Sequence, residues 1–535
     1  MRNDVLSGAH GWLHLPLLCL LLGPGCTTLS QAHDGTASGV GDNAIMVDAS
    51  ALPFVRQMDE RFQSFQIGMS HLTGGETWRS YDEDAEQGEE TGENFAAIRE
   101  ARAPTDLNNR RLRNLTRALG PLYIRYGGTT SNSVYFHDSD APPPADAPEG
   151  FQTLLTRERW KSAVDFADSV DAKIITGFTV SDGVRDASGA WTPDQAAAWL
   201  AFTKNIGGEI YAAELYNEPN AREPGRTEGA EPAANYARDF ARLKDLTDRV
   251  APELKLAGPG TAMLGLPFPI PSLTQVTAED YLTARPLPAV DILSYHFYGA
   301  LAERCADPES PQGVSADDAL TEAWLARPDT EFQKQKALRD RYAPKAPIWL
   351  TETGTAACGG TRWQPTFLEA FRYLDAQGRL AKQGVDALVT HALISGSNGV
   401  IDEATLEPNA DYWAALLWRR LIGTRILDAG ELHDGLHLYA HCARGRAGGV
   451  TLLAINLRDK PAALSVEGPV ERFSMTAPEL QSRTILLNGH PLTLDDQDRV
   501  PELVPAVQSS GQLVLEPTSI NFLLLPQAAN PSCTL

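Results

Sequence analysis

From about residue 120 the chain alternates between two hydrophobic periods. Short apolar runs closed by glycine or proline read as strands: "PLYIRYGGT" (121–129), "AKIITGFTV", "EIYAAELYNEP", "LKLAGPGT", "VDILSYHFYG", "APIWLTETG" and "VDALVTHALIS". Between them lie segments with apolar residues every three or four positions, among them "RERWKSAVDFADSVD", "NYARDFARLKDLTDRV" and "FLEAFRYLDAQGRLAKQG". That spacing lays one apolar stripe along a helix. Repeated strand–helix units pair their strands in parallel. About eight of them predict an α/β fold closed as a (β/α)8 TIM barrel rather than an open sheet.

Near residue 425 the helical period stops. "LHLYAHC", "GVTLLAINL", "ALSVEG", "RTILLNG" and "INFLLLP" follow, separated by Gly, Asp, Asn and Pro, which predicts a C-terminal β-sandwich domain. The run "NAIMVDASALPFV" (43–55) is expected to add an N-terminal strand to it. Residues 81–104, acidic and poor in apolar positions, read as a surface loop. The expected division is a joining strand over 43–56, a catalytic barrel over 57–425 and the sandwich over 426–535. Ahead of these, Arg2 precedes "WLHLPLLCLLLGPGC", an apolar core too short to span a bilayer. Residues 1–26 therefore read as an export signal peptide and 27–42 as a flexible tether. Cys26 is a candidate acylation site for a bacterial lipoprotein, although Gly23 and Pro24 match that cleavage pattern poorly. The mature chain is expected to be periplasmic, anchored at the outer membrane, or secreted.

At 535 residues with 43% hydrophobic content, the chain can build both cores. Its formal charge of -23 and pI near 4.9 argue against a general nucleic-acid binder. The clusters Arg110, Arg111, Arg113 and Arg419, Arg420 read as solvated helix faces. Apart from Cys19 and Cys26, four cysteines remain: Cys305, Cys358, Cys442 and Cys533. In an oxidising compartment they suggest two disulfides, and spacing leaves three pairings open. No CxxC occurs and no two histidines share a helix face, so neither a structural metal nor a cofactor is expected.

Candidate chemistry sits at two strand ends. Glu218 closes "AAELYNE" and Glu352 closes "PIWLTE", the fourth and seventh barrel strands by count. Such ends meet at the barrel mouth, where catalytic groups stand. Two carboxylates about 5–5.5 Å apart suit retaining glycoside hydrolysis, one donating a proton to the leaving oxygen while the other attacks the anomeric carbon. Their proximity is expected to push their pKa values apart. Asn217 is placed to hydrogen-bond the sugar's 2-hydroxyl. Taken singly, an Asn-Glu-Pro step is often only a turn and a strand-terminal Glu only a cap. Together in a barrel pattern they point to catalysis.

"LYNEPN", "IRYGGT", "SYHFYG" and "IWLTETG", with "GVIDEATLEPNADYWAALLWRRLIGTRIL" and the terminal "NPSCTL", resemble the motif set of the heparanase and β-glucuronidase family, glycoside hydrolase family 79 of clan A. The resemblance covers nearly the whole chain from residue 43, and "SHLTGGETW" is nearer to microbial members. It implies that Glu218 is the acid/base and Glu352 the nucleophile. It also implies that Asp48, Thr129, Tyr298 and the amides of Gly359 and Gly360 hold a glucuronic acid ring or its carboxylate. Backbone N–H groups in a glycine turn suit an anion. His296 and His391 are expected near the pocket as packed, hydrogen-bonded histidines. Where relatives commonly carry a tyrosine beside the uronate, this chain reads "SGSNGVIDE" and offers Asn398. The resemblance pairs Cys442 with Cys533. A second bridge, Cys305 to Cys358 at the cleft rim, is a geometric inference from neighbouring strands.

The expected activity is thus retaining hydrolysis of β-linked glucuronic acid by a monomer. Substrates would be glucuronides or glycosaminoglycans such as heparan sulfate, with exo-action ahead of endo-action because the charge of -23 disfavours a polyanion track. Arg222 and Arg226 beside Glu218 count on the other side. The rival expectations are an inactive carbohydrate-binding surface lipoprotein and a clan-A hydrolase for neutral sugars.

Overall fold

The computed structural model describes residues 44–81, 98–221, 231–264 and 275–534, all within one compact unit. The expected signal and tether, Cys26, Arg222, Arg226 and most of the acidic segment lie outside them. Eight strands close a barrel: β1 (Gln63–Gly68), β2 (Leu122–Gly127), β3 (Ala172–Gly177), β4 (Ile210–Glu214), β5 (Lys255–Leu264), β6 (Ile292–Leu301), β7 (Ile348–Ala357) and β8 (Ala387–His391). Every neighbouring pair is parallel, including β8 with β1. Seven of the eight fall on predicted runs. The exception, β1, has the sequence "QSFQIG", and its buried Gln63, Ser64 and Gln66 hide the apolar signature of a strand.

Inside the barrel, alternation puts every second side chain on one face. Tyr123, Ile175, Ala212, Ala257, Ile292, Trp349, Ala387 and Val389 form an apolar layer. One step further toward the strand C-termini the inward positions turn polar, with Arg125 on β2 and Glu214 on β4, both fully buried. Outside, helices bury their apolar stripes against the strands; Trp160 and Trp199 of two such helices meet edge to face at 4.8 Å. Among the described residues no helix is long and apolar enough to cross a membrane.

The all-strand region forms a sandwich of a nine-stranded and a three-stranded sheet around a core that includes Leu438, Leu452, Leu464, Leu513 and Leu523. The N-terminal run contributes to both sheets. Ile45–Val47 pairs in parallel with Ala462–Val466, and Phe54–Gln57 pairs antiparallel with Ile422–Leu427. Disulfides join Cys442 to Cys533 and Cys305 to Cys358, the latter with Cα atoms 6.5 Å apart. Two surface expectations change. Arg99–Arg102, from the segment read as a loop, pairs with Gly75–Trp78 as a hairpin. Arg419 is buried, not solvated, and donates to the carbonyls of Gly120 and Glu60, closing the barrel's underside.

Candidate active site

Glu352 owes its inward aim to a bulge. Tyr295 pairs with Leu350 and His296 with Glu352, so Thr351 is an extra residue in β7. Without it, strict alternation from Trp349 and Thr351 would turn Glu352 out of the barrel; such bulges re-aim side chains. Thr351 donates to Glu214 Oε1 at 2.8 Å, and Glu352 faces the cleft one position later.

Arg125 ties the polar layer together. Its guanidinium donates to Glu214 Oε2 at 2.8 Å and 3.0 Å, to Glu352 Oε2 at 2.6 Å, to Asn217 Oδ1 at 2.9 Å and to Gln66 Oε1. The other Glu352 oxygen accepts from Tyr298 Oη at 2.7 Å, and Tyr298 Oη lies 3.0 Å from His391 Nδ1. Burial disfavours charge on Glu352, but the pull of His296 and Arg125 and the Tyr298 hydrogen bond outweigh it. Its pKa falls far below the usual carboxylate range. Burial and the adjacent Glu352 push the Tyr298 phenol well above 10, so it remains a donor. Burial lowers His391, which keeps its ring neutral.

Glu218 stands in a different environment. It is partly exposed, with backbone φ of 52°, and its Oε1 lies 3.0 Å from His296 Nδ1. His296 is fully buried, with Nε2 3.3 Å from the Arg125 guanidinium. One oxygen of Glu218, one of Glu352 and a nitrogen of His296 lie within 4.8 Å of one another. This spacing would also suit a metal ion, but the Arg125 guanidinium, shared between Glu214 and Glu352, already sets a positive charge beside Glu352 and disfavours a second cation there.

The structure therefore brings together Asn217, Glu218, His296, Tyr298, Glu352 and His391. Gly359 and Gly360 follow β7 with φ of 82° and 81°, a backbone region that favours glycine. A Cβ on Gly359 would lie 2.7 Å from Trp78, and one on Gly360 2.7 Å from the Asn398 Cβ. Asn398 thus lines the glycine turn, and its Oδ1 accepts from Ser395 Oγ at 2.7 Å. Thr129 is exposed, just beyond the end of β2. Asp48 is a correction. The strand before it belongs to the sandwich, and its carboxylate accepts from Ser50 N and Oγ on the exposed surface. Sequence reading also passed over Arg125 and Glu214. The signal was present in charged residues at inward positions of otherwise apolar strands, "YIRYG" and "YAAEL".

A closed (β/α)8 barrel carrying paired carboxylates at its mouth, one from β7 and one just beyond β4, defines a glycoside hydrolase of clan A. The chain belongs to glycosyl hydrolase family 79, whose N-terminal domain matches residues 101–378. Heparanase-like protein 1 of Arabidopsis thaliana is 26% identical over 497 residues, covering 80% of this chain and 86% of that protein. Baicalin-beta-D-glucuronidase of Scutellaria baicalensis is 25% identical over 472 residues, covering 79% and 84%. Among solved structures, a 4-O-alpha-L-rhamnosyl-beta-D-glucuronidase from Fusarium oxysporum shares the fold, with a TM-score of 0.60 at 15% identity over 89% of this chain and 99% of that one.

Proposed function

We propose that this protein is a retaining β-glucuronidase that works through a covalent glycosyl-enzyme. The observation that carries the proposal is the carboxylate pair with oxygens within 4.8 Å, one of them held ionised by Arg125 and Tyr298. Glu352 attacks the anomeric carbon while Glu218 gives its proton to the departing oxygen. Water, activated by Glu218, then releases the sugar. Arg125 occupies Asn217 Oδ1 and so turns the Asn217 NH2 toward the sugar's 2-hydroxyl. Support for glucuronic acid comes from the glycine turn at 359–360 beside Asn398 and from the glucuronidase and heparanase-like relatives.

Hydrolysis of an aryl β-glucuronide, set against aryl glucoside, xyloside and arabinofuranoside, tests this. Cleavage of the glucuronide alone is expected; cleavage of only the neutral glycosides would transfer the chain to a neutral-sugar specificity. Exo-action is favoured by the acidic surface, whereas the heparanase-like relatives favour endo-action. Sizing products from a defined heparan sulfate oligosaccharide separates them: single sugars for exo-action, internal fragments for endo-action. Export is part of the same reading, because two disulfides suit an oxidising compartment.

A further inference from the structure

The β4 ladder ends at Glu214, yet the chain must still carry Glu218 to the mouth with a left-handed backbone, a conformation that non-glycine residues adopt only when their surroundings enforce it. Two buried asparagines supply that enforcement. Asn132, in the turn after β2, accepts the Asn217 backbone N–H on its Oδ1 at 2.9 Å and donates its Nδ2 to the Asn217 carbonyl at 2.8 Å. Its own carbonyl receives Val180 N at 2.8 Å and Ser181 N at 3.0 Å, anchoring the turn to the segment after β3. Asn220 makes the same paired contact in the opposite direction. Its Oδ1 accepts from Ala262 N at 2.8 Å and its Nδ2 donates to the Ala262 carbonyl at 3.0 Å, on β5. Between the two, Tyr281 Oη donates to the Pro219 carbonyl at 3.0 Å.

We infer that Asn132 and Asn220 are positioning residues for the acid/base. They clamp the backbone on either side of Glu218 so that its carboxyl group reaches the glycosidic oxygen. A carboxamide carries a donor and an acceptor side by side, the match for one peptide N–H and C=O. Aspartate at 132 keeps the acceptor but sets an oxygen against the Asn217 carbonyl. Both asparagines are buried, Asn132 on a different strand end and Asn220 two residues past Glu218, and the hydrogen bonds described here reach the acid/base through backbone groups.

The inference rests on the glucuronidase reading, and leaving-group chemistry tests it. A dinitrophenolate departs without a proton, whereas methanol requires one from Glu218. Azide needs no general base: it attacks the anomeric carbon of the glycosyl-enzyme, forming a C–N bond as the C–O bond to Glu352 breaks, which yields β-glucuronyl azide and the free carboxylate. In Asn132→Ala, Asn132→Asp and Asn220→Asp, kcat/KM for methyl β-glucuronide is expected to fall roughly 10- to 100-fold, the cost of about 1 Å of misplacement. For the dinitrophenyl glucuronide it should fall less than about threefold, with azide accelerating turnover, as in Glu218→Ala. A structural role alone would depress both substrates together, without azide rescue. That result, or unchanged kinetics in folded Asn132→Asp and Asn220→Asp, overturns the inference. Should Asn132→Ala not fold, the two aspartate variants decide. If the wild-type protein cleaves neither glucuronide, the functional reading itself falls, and the inference with it.

Discussion

Removing the Arg125 guanidinium would leave two buried carboxylates, Glu214 and Glu352, without their shared cation. Arg125→Met is expected to cost about 3–5 kcal/mol of stability, because breaking a buried pair strands the remaining charge. Chemical denaturation beside a turnover assay checks both consequences, since hydrolysis should be lost as well. A gentler change isolates the nucleophile. Glu352 has a depressed folded-state pKa, so its contribution to stability is present above the unfolded carboxylate value and is lost as pH falls through the folded one. The same depression keeps the proposed nucleophile ionised in acid. Tyr298→Phe removes one lowering contact, and the acidic limb of kcat/KM should then move to higher pH. A limb that stays in place would mean that the phenol does not govern Glu352. The two proposed catalytic carboxylates were readable from sequence because each sits in a motif at the C-terminal side of a strand-like run. Arg125, Glu214 and Asn132 were not assigned, because a one-dimensional pattern shows that an inward position is polar but not which polar groups converge. Asp48 was misplaced for a related reason: similarity along the chain put it at the mouth, while strand pairing puts it on the sandwich.

The glycine turn after β7 is fixed from three sides: Trp78 from the Gly75–Trp78 strand, Asn398 from the segment after β8, and the bridge from Cys358 back to Cys305. In the proposed function its two amides are the groups offered to the uronate carboxylate. Gly360→Ala would place a methyl against Gln364 Oε1 in a backbone conformation that alanine resists. Loss of a hydrogen bond to a charged group is worth about 1.5–3 kcal/mol, so KM for an aryl glucuronide should rise roughly 10- to 100-fold. The paired change Cys305→Ala, Cys358→Ala should raise the same KM with little change in kcat, whereas Cys442→Ala, Cys533→Ala should leave it alone. Equal effects from the two pairs would detach the first bridge from substrate binding. Elements of this kind were uneven in sequence. Seven barrel strands were announced by apolar runs, while β1 was masked by buried polar residues on both faces, Gln63 against the carbonyl of Ala415 outside and Gln66 bound to Arg125 inside. These polar residues had erased the strand's hydrophobic signature.

Barrel and sandwich are joined by a buried charge cluster. His437 of the sandwich strand Leu436–Ala443 lies 2.5 Å from Asp375 and 2.9 Å from Glu322, both on barrel helices. Tyr439 and Arg379 also bind Asp375, and Arg379 reaches Asp329. Burial opposes charge on His437, but the Asp375 hydrogen bond and the two carboxylates outweigh it and raise its pKa. A raised value means stability that is fully present below the unfolded histidine pKa and lost as pH rises through the folded one. Asp375 is lowered, and its contribution disappears instead as pH falls. Thermal unfolding of His437→Gln against wild type should therefore show a gap that is large at mildly acidic pH and narrows in alkaline buffer. A gap independent of pH would show that packing, not charge, makes the join. The two ends of the described chain meet in the same half of the molecule: Asn530 Nδ2 donates to the carbonyls of Ala49 and Leu52. During synthesis the opening strands, 45–47 and 54–57, emerge hundreds of residues before their partners and must wait with bare edges while the barrel forms. Linking residue 534 to 44 and opening the chain at the exposed segment 138–150 would bring those strands out after their partners, but it would also send β1 and β2 to the end, so the wait would pass to the open edges of β3 and β8.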